Sequence, residues 1–130
     1  MSVGLLLITH NDLGTALLTT ATRIFITCPM PVATLGVSEI CEPENLLHQL
    51  KSILNNLDQG DGVLILTDMY GSTPANIATR LQQKNRTNVV AGINLPMLVR
   101  ILNHAHLNLA DLTERAISGG RDGVVECVLF

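Results

Sequence analysis

The chain predicts a three-layer α/β sandwich built on a mostly parallel sheet. Two observations carry that expectation. Short apolar runs without alternation recur at 3–9, 32–37, 63–67 and 89–93, the signature of strands buried on both faces. Between these runs, apolar residues fall at helical spacing, so strands and helices alternate along the chain. The length of 130 residues then suits a single domain, 1–130, large enough to bury a core of its own.

Taken in order, the first run, Val3 to Thr9, meets polar His10, Asn11 and Asp12. A helix follows on Leu13, Ala16, Leu17, Ala21 and Ile24, with Asp12 as its expected cap and Leu13 as its first core contact. Val32 to Val37 is the second strand. Leu46, Leu47, Leu50, Ile53, Leu54 and Leu57 form the wide apolar stripe of a second helix, opened by Pro43 and stopped before Gly60. Val63 to Thr67 is the third strand, ending at Asp68. Thr73 and Pro74 read as cap and first residue of a third helix reaching about Lys84. Val89 to Ile93 is the fourth strand, and Pro96 opens a helix through about His104. Leu109 to Ile117 is a further helix, stopped by Gly119 and Gly120. Val124 to Phe130 reads as a last strand.

Composition removes several function classes. Eight basic residues stand against eleven acidic ones, a net charge of −3. A protein that binds nucleic acid by neutralising phosphates is basic, and the three aromatic residues, Phe25, Tyr70 and Phe130, make a poor base-stacking platform. No nucleic-acid partner is expected. The N-terminus lacks a basic signal-peptide region, and no apolar stretch approaches membrane-spanning length. Cys28, Cys41 and Cys127 are odd in number, widely spaced and free of any metal-ligand pattern, so they read as reduced thiols packed as small apolar residues in a cytoplasmic protein. His104 and His106 lie two apart and face different sides of a helix, which leaves no expected metal site. His48 falls at the rim of the second helix, and Arg80 and Arg100 read equally as solvated or partner-facing. Asn94 and Met97 follow the fourth strand at the same sheet edge as His10, as pocket or partner residues. A nucleotide-binding glycine motif is missing, and no cofactor is expected.

In open parallel sheets, ligands bind beyond the carboxyl ends of the strands. His10 and Asp68 both stand at such ends. If their strands are neighbours, the carboxylate fixes the imidazole tautomer and leaves the other ring nitrogen as a lone pair, suited to a nucleophile or a general base. Gly71, Ser72 and Thr73 follow Asp68 and lead into a helix N-terminus, which favours anions. A phosphoryl group on His10 is the anion that such a pocket would hold. The same residues are also common loop and turn formers, so the pairing of the two strands decides between the readings.

Three stretches together resemble the mannose-type IIA proteins of the bacterial phosphoenolpyruvate-dependent sugar phosphotransferase system. They are Leu7-Ile8-Thr9-His10, Thr67 through Asn76, and Gly92-Ile93-Asn94-Leu95-Pro96-Met97-Leu98. The resemblance implies that His10 accepts a phosphoryl group from the carrier HPr and passes it to a IIB partner. It implies that Asp68 holds the imidazole and that Gly71, Ser72 and Thr73 cradle the phosphoryl oxygens. It further implies a homodimer in which an antiparallel C-terminal edge strand, Val124 to Phe130, crosses to the partner's sheet. Contact with a membrane would come only through a transporter complex, with IIB and membrane components as separate proteins. Departures from the family pattern are Asn11-Asp12 after the histidine where glycine is common, Gly-Ser-Thr-Pro in place of a second glycine, and Ala75 where an aromatic residue is common. Two alternatives share the chemistry at His10: a regulatory module switched by phosphorylation, and the phosphoryl-relay subunit of dihydroxyacetone kinase.

Overall fold

Four parallel strands form the centre of the computed structural model, which describes residues 2–25, 27–39 and 41–129. β1 (Gly4–His10) lies between β2 (Val32–Val37) and β3 (Val63–Thr67), and β4 (Thr87–Ala91) lies outside β3. The register pairs His10 with Val37 on one side and Ile8 with Thr67 on the other. Five helices occur among the described residues: α1 (Leu13–Ile24), α2 (Pro43–Leu57), α3 (Thr73–Arg80), α4 (Leu95–Asn103) and α5 (Leu109–Asp122).

The unbroken apolar runs follow from cover on both faces. Leu5, Leu7, Leu64 and Leu66 pack with Ala21 of α1, with Leu98 and Ile101 of α4, and with Leu112 and Ala116 of α5. Leu6, Ile8 and Ile65 face the other way, onto Leu47, Leu50 and Leu54 of α2 and onto Ile77 and Ala78 of α3. Successive strand residues point to opposite faces, so both sets must be apolar. The three layers and the parallel sheet are as the sequence predicts. Among the described residues no helix is long and apolar enough to cross a membrane.

Several expected boundaries move, each for a physical reason. β4 runs from Thr87 to Ala91 rather than from Val89 to Ile93. Its polar start is accommodated because the Thr87 hydroxyl donates to the Leu81 carbonyl and Asn88 donates to Thr113 of α5 at 2.9 Å. Beyond Ala91, the amides of Gly92 and Ile93 both turn back to the Thr67 carbonyl. α3 stops at Arg80 rather than near Lys84, where the Leu81 amide closes tight turns onto Ala78 and Thr79. Its cap position is Ser72, with Thr73 already helical. α4 starts at Leu95, because Asn94 accepts the Met97 amide at 2.9 Å.

α5 continues through Gly119 and Gly120, which do not stop it. A Cβ on Gly119 would lie 2.6 Å from Arg100 Cβ, and one on Gly120 would lie 2.9 Å from Met97 Cε. These glycines serve close packing of α5 on α4, and the Asn94 side chain ties the two together by donating to the Gly120 carbonyl at 3.0 Å. Residues 124–129 form no strand in the single chain; they leave α5 with Val124, Val125, Val128 and Leu129 exposed. Phe130, included in the expected strand, lies outside the described residues. Cys28 and Cys127 are free but exposed, so they are not the packed apolar groups expected, whereas Cys41 is half-buried and packs against the α2 side of the core, as expected.

Candidate active site

The strand order places the site. From β1 the chain moves outward to β2, and from β3 it moves outward to β4 in the opposite direction. The crevice beyond the carboxyl ends of β1 and β3 is therefore the switch point of the sheet, where α/β proteins bind ligands. His10 ends β1 and Asp68 follows β3, so the neighbouring strands bring them together.

Asp68 holds the histidine through one oxygen. Its Oδ2 accepts the His10 backbone N–H at 2.9 Å and lies 2.6 Å from His10 Nδ1. The other oxygen, Oδ1, accepts the Met69 amide at 3.0 Å. Burial raises the Asp68 carboxyl pKa, but the His10 amide, the His10 ring and the local backbone hydrogen bond outweigh it and leave the group below its ordinary 3.8. An ionised carboxylate only accepts, so Nδ1 carries a proton, and in the neutral ring Nε2 is the nitrogen that keeps the lone pair. The His10 side chain is 46% exposed and that of Asp68 only 10%. The ring is thus presented to solvent on a buried support.

The loop after Asp68 is built for a tight reversal. Gly71 has φ of +81° with no atom within 4 Å of a Cβ built there; its backbone conformation, not lack of space, asks for glycine. Ser72 closes the turn, its amide and its hydroxyl both donating to the Met69 carbonyl, the hydroxyl at 2.6 Å. The Ser72 proton is therefore engaged within the loop. Thr73 is exposed at the first position of α3, and Pro74 next to it carries no N–H. The first-turn amides of Thr73 and Ala75 remain as donors facing the end of the helix. Met69 and Tyr70 stand out from the loop, Tyr70 at 90% exposure.

Three features of the site were not found by reading the sequence. Thr9, not Asp12, caps α1: its Oγ1 accepts the Gly14 amide at 2.8 Å, while Asp12 makes no side-chain cap bond. Leu13, expected as a core contact, is 45% exposed on the same edge as His10. Thr67 Oγ1 is buried with no hydrogen-bond partner among the described residues, one residue before Asp68. A threonine in an apolar strand is the only sequence signal for either hydroxyl, and it does not tell a capping group from a packed one. Ala75 is buried. Asn94 serves as a helix cap, and Met97 is buried against α5.

No cluster of three metal-ligating side chains occurs among the described residues. His104 Nδ1 lies 2.8 Å from the Arg100 carbonyl, a helix-end hydrogen bond. Arg80 pairs with Glu44, and Arg100 with Asp122.

A family model described as the PTS system fructose IIA component, of the mannose type, matches residues 4–117. The chain belongs to that family. It is 37% identical over 84 residues to the mannose-specific EIIAB component of Escherichia coli strain K12, a match over 62% of this chain and 26% of that protein. It is 34% identical over 71 residues to the fructose-specific EIIA component of Bacillus subtilis strain 168, over 53% of this chain and 49% of that protein. The chain thus spans about a quarter of the length of the first relative and about half of the second. Among solved structures, the mannose/sorbose-specific IIA subunit from Enterococcus faecalis superposes with a TM-score of 0.86 over 99% of this chain and 97% of that one, at 24% identity. The PTS IIA protein associated with the fucose utilization operon of Streptococcus pneumoniae superposes at 0.74 over 91% and 93%, at 27% identity. The mannose-type IIA fold and the phosphotransferase-system family are thereby established together.

Proposed function

We propose that this mannose-type IIA domain is a cytoplasmic phosphoryl carrier that takes a phosphoryl group from phospho-HPr onto His10 and passes it to a histidine of a IIB partner. The observation that carries the reading is the 2.6 Å contact of His10 Nδ1 with Asp68 Oδ2, at the one crevice of the sheet where ligands are expected.

The chemistry follows from that contact. The Nε2 lone pair attacks phosphorus in line, a new N–P bond forms on His10, and the donor histidine leaves with the electron pair of the broken N–P bond. The Asp68 carboxylate keeps Nδ1 protonated and offsets the positive charge that develops on the ring. Transfer to IIB runs the same steps in reverse on a new acceptor. The α3 amides and the Thr73 hydroxyl act as donors to the phosphoryl oxygens, with Gly71 shaping the approach. Ser72 joins them once its hydroxyl turns away from the Met69 carbonyl.

A homodimer is part of the proposal. β4 has an open edge, and a groove of about 510 Å³ runs beside it, lined by Val89, Val90, Ala91, Met97, Ile117 and Val124. An uncovered apolar edge is prone to pairing. The exposed segment 124–129 of a second copy, added antiparallel to β4, would cover it.

The test is the intact mass of the purified protein after incubation with phosphoenolpyruvate, Enzyme I and HPr. The expected result is a gain of one phosphoryl group, labile in acid, stable in base and absent in His10→Ala. No gain, beside a control IIA protein labelled in the same tube, would overturn the assignment.

A further inference from the structure

The backbone leaves β1 in an unusual way. Asn11, directly after His10, has φ of 46°, in the left-handed region that asparagine tolerates and β-branched residues avoid. Its amide donates to the Val37 carbonyl at 3.1 Å, extending the β1–β2 ladder by one bond. The turn therefore folds over the end of β2. Its carbonyl then lies directly against Gly36: a Cβ at that position would stand 2.1 Å from Asn11 O and 2.9 Å from the carbonyl carbon. Those atoms are main chain, so no side-chain rotation can relieve the clash. Gly36 has no positive φ, so space, not its own conformation, demands glycine inside this strand.

His10 is fixed from both chain directions. Before it, Thr9 Oγ1 holds the Gly14 amide and so the start of α1. After it, Asn11 is seated on β2. Between these anchors, the His10 amide and ring both reach Asp68 Oδ2. A shift of the Asn11 peptide away from β2 carries the His10 main chain with it and opens the ring contact.

We infer that Gly36, acting through the left-handed Asn11, is a positioning residue for His10: the bare α-carbon on β2 lets the 10–12 turn settle where the imidazole meets Asp68. The consequence for phosphoryl transfer rests on the proposed function; the consequence for ring geometry does not.

The experiment compares Gly36→Ala, Asn11→Gly and Asn11→Val with the wild type. Ring ¹H–¹⁵N correlation spectra of unphosphorylated protein report the His10 tautomer, and circular dichroism with thermal unfolding reports the fold. The wild type is expected to show the Nδ1–H form. Gly36→Ala is expected to stay folded, with His10 signals moved toward the mixed tautomers of a free imidazole. Phosphoryl uptake from phospho-HPr should fall on the order of 10- to 100-fold, the effect of a displacement of about 1 Å at a reacting group. Asn11→Gly should retain the wild-type ring signals, and Asn11→Val should lose them. Wild-type ring signals in folded Gly36→Ala overturn the inference, even if its melting temperature falls. Should Gly36→Ala not fold, Asn11→Val decides in the same way, its wild-type ring signals overturning the inference and their loss supporting it. A wild type that takes up no phosphoryl group defeats the proposed function, while the ring spectra still decide on the seat.

Discussion

An aspartate organises the backbone at each end of the sheet, and the two are used differently. At the amino end, Asp58 follows α2; its Oδ1 accepts the amides of Gly60 at 2.9 Å and Gly62 at 3.1 Å, and its Oδ2 pairs with Arg86. Burial raises its pKa, but these three partners outweigh it and leave it below 3.8. At the carboxyl end, Asp68 is lowered in the same manner, yet its side-chain partner is a histidine. Arginine stays charged and has no lone pair to offer, so the Asp58 network ends there and clamps two loops. Histidine passes the effect on, because the nitrogen not facing the carboxylate is left as a base. The lesson is that a lowered carboxylate marks organisation, and only the chemistry of its partner separates a clamp from a reactive site.

The sharpest way to break this comparison is His10→Ala. Phosphoryl uptake should vanish from the mass spectrum while the domain stays folded, at a stability cost of about 1 kcal/mol for the lost ring contact with Asp68. Asp68→Ala should slow uptake on the order of 10²- to 10⁴-fold in rapid-quench kinetics, since ring orientation and charge compensation go together. Normal kinetics would reduce Asp68 to a turn residue. Asp58→Ala should do the opposite: a loss of about 1–3 kcal/mol in denaturant unfolding, with uptake by the folded protein unchanged.

Acid sharpens the likeness of the two aspartates rather than their difference. Both folded carboxyls lie below 3.8, so the unfolded chain takes up protons first as the pH drops. The stability they contribute is fully present above 3.8 and is lost as the pH falls through the folded values. Melting temperature followed from neutral pH downward should decline in the wild type and decline less steeply in Asp58→Asn and in Asp68→Asn. Equal slopes in all three proteins would mean that neither network is linked to folding. The smallest effect is expected of Ser72→Ala. Its hydroxyl is engaged with Met69, so uptake should slow only about fivefold, the value of one ordinary hydrogen bond.

Much of the fold was legible because burial leaves a local trace. Leu5 to Ile8 and Leu64 to Leu66 are wholly buried, and a strand covered on both faces has no polar positions to show. The stripe on α2 was equally plain, with Leu47, Leu50, Leu54 and Leu57 all buried. Misreadings arose where one residue type serves two purposes. Gly119 and Gly120 resembled a helix stop and proved to be a packing face for Arg100 and Met97. Asp12 resembled a cap, but the hydroxyl of Thr9, five residues ahead of the amide it accepts, took that role. Val124 to Leu129 has a strand's composition, yet a strand exists only when paired, and residues 124–129 pair with no strand among the described residues.

By itself the sequence determined where the four central strands lie, that both their faces are covered, and that a histidine and an aspartate stand at strand ends. Those properties depend on side-chain polarity at fixed spacing, which is written along the chain. Only the tertiary structure decided that β1 and β3 are neighbours, and hence that His10 and Asp68 meet across 58 residues of sequence. It alone decided that Asn11 rests on Gly36. Strand order and the approach of one backbone to another are set by packing between distant segments, and no local pattern of residues encodes them.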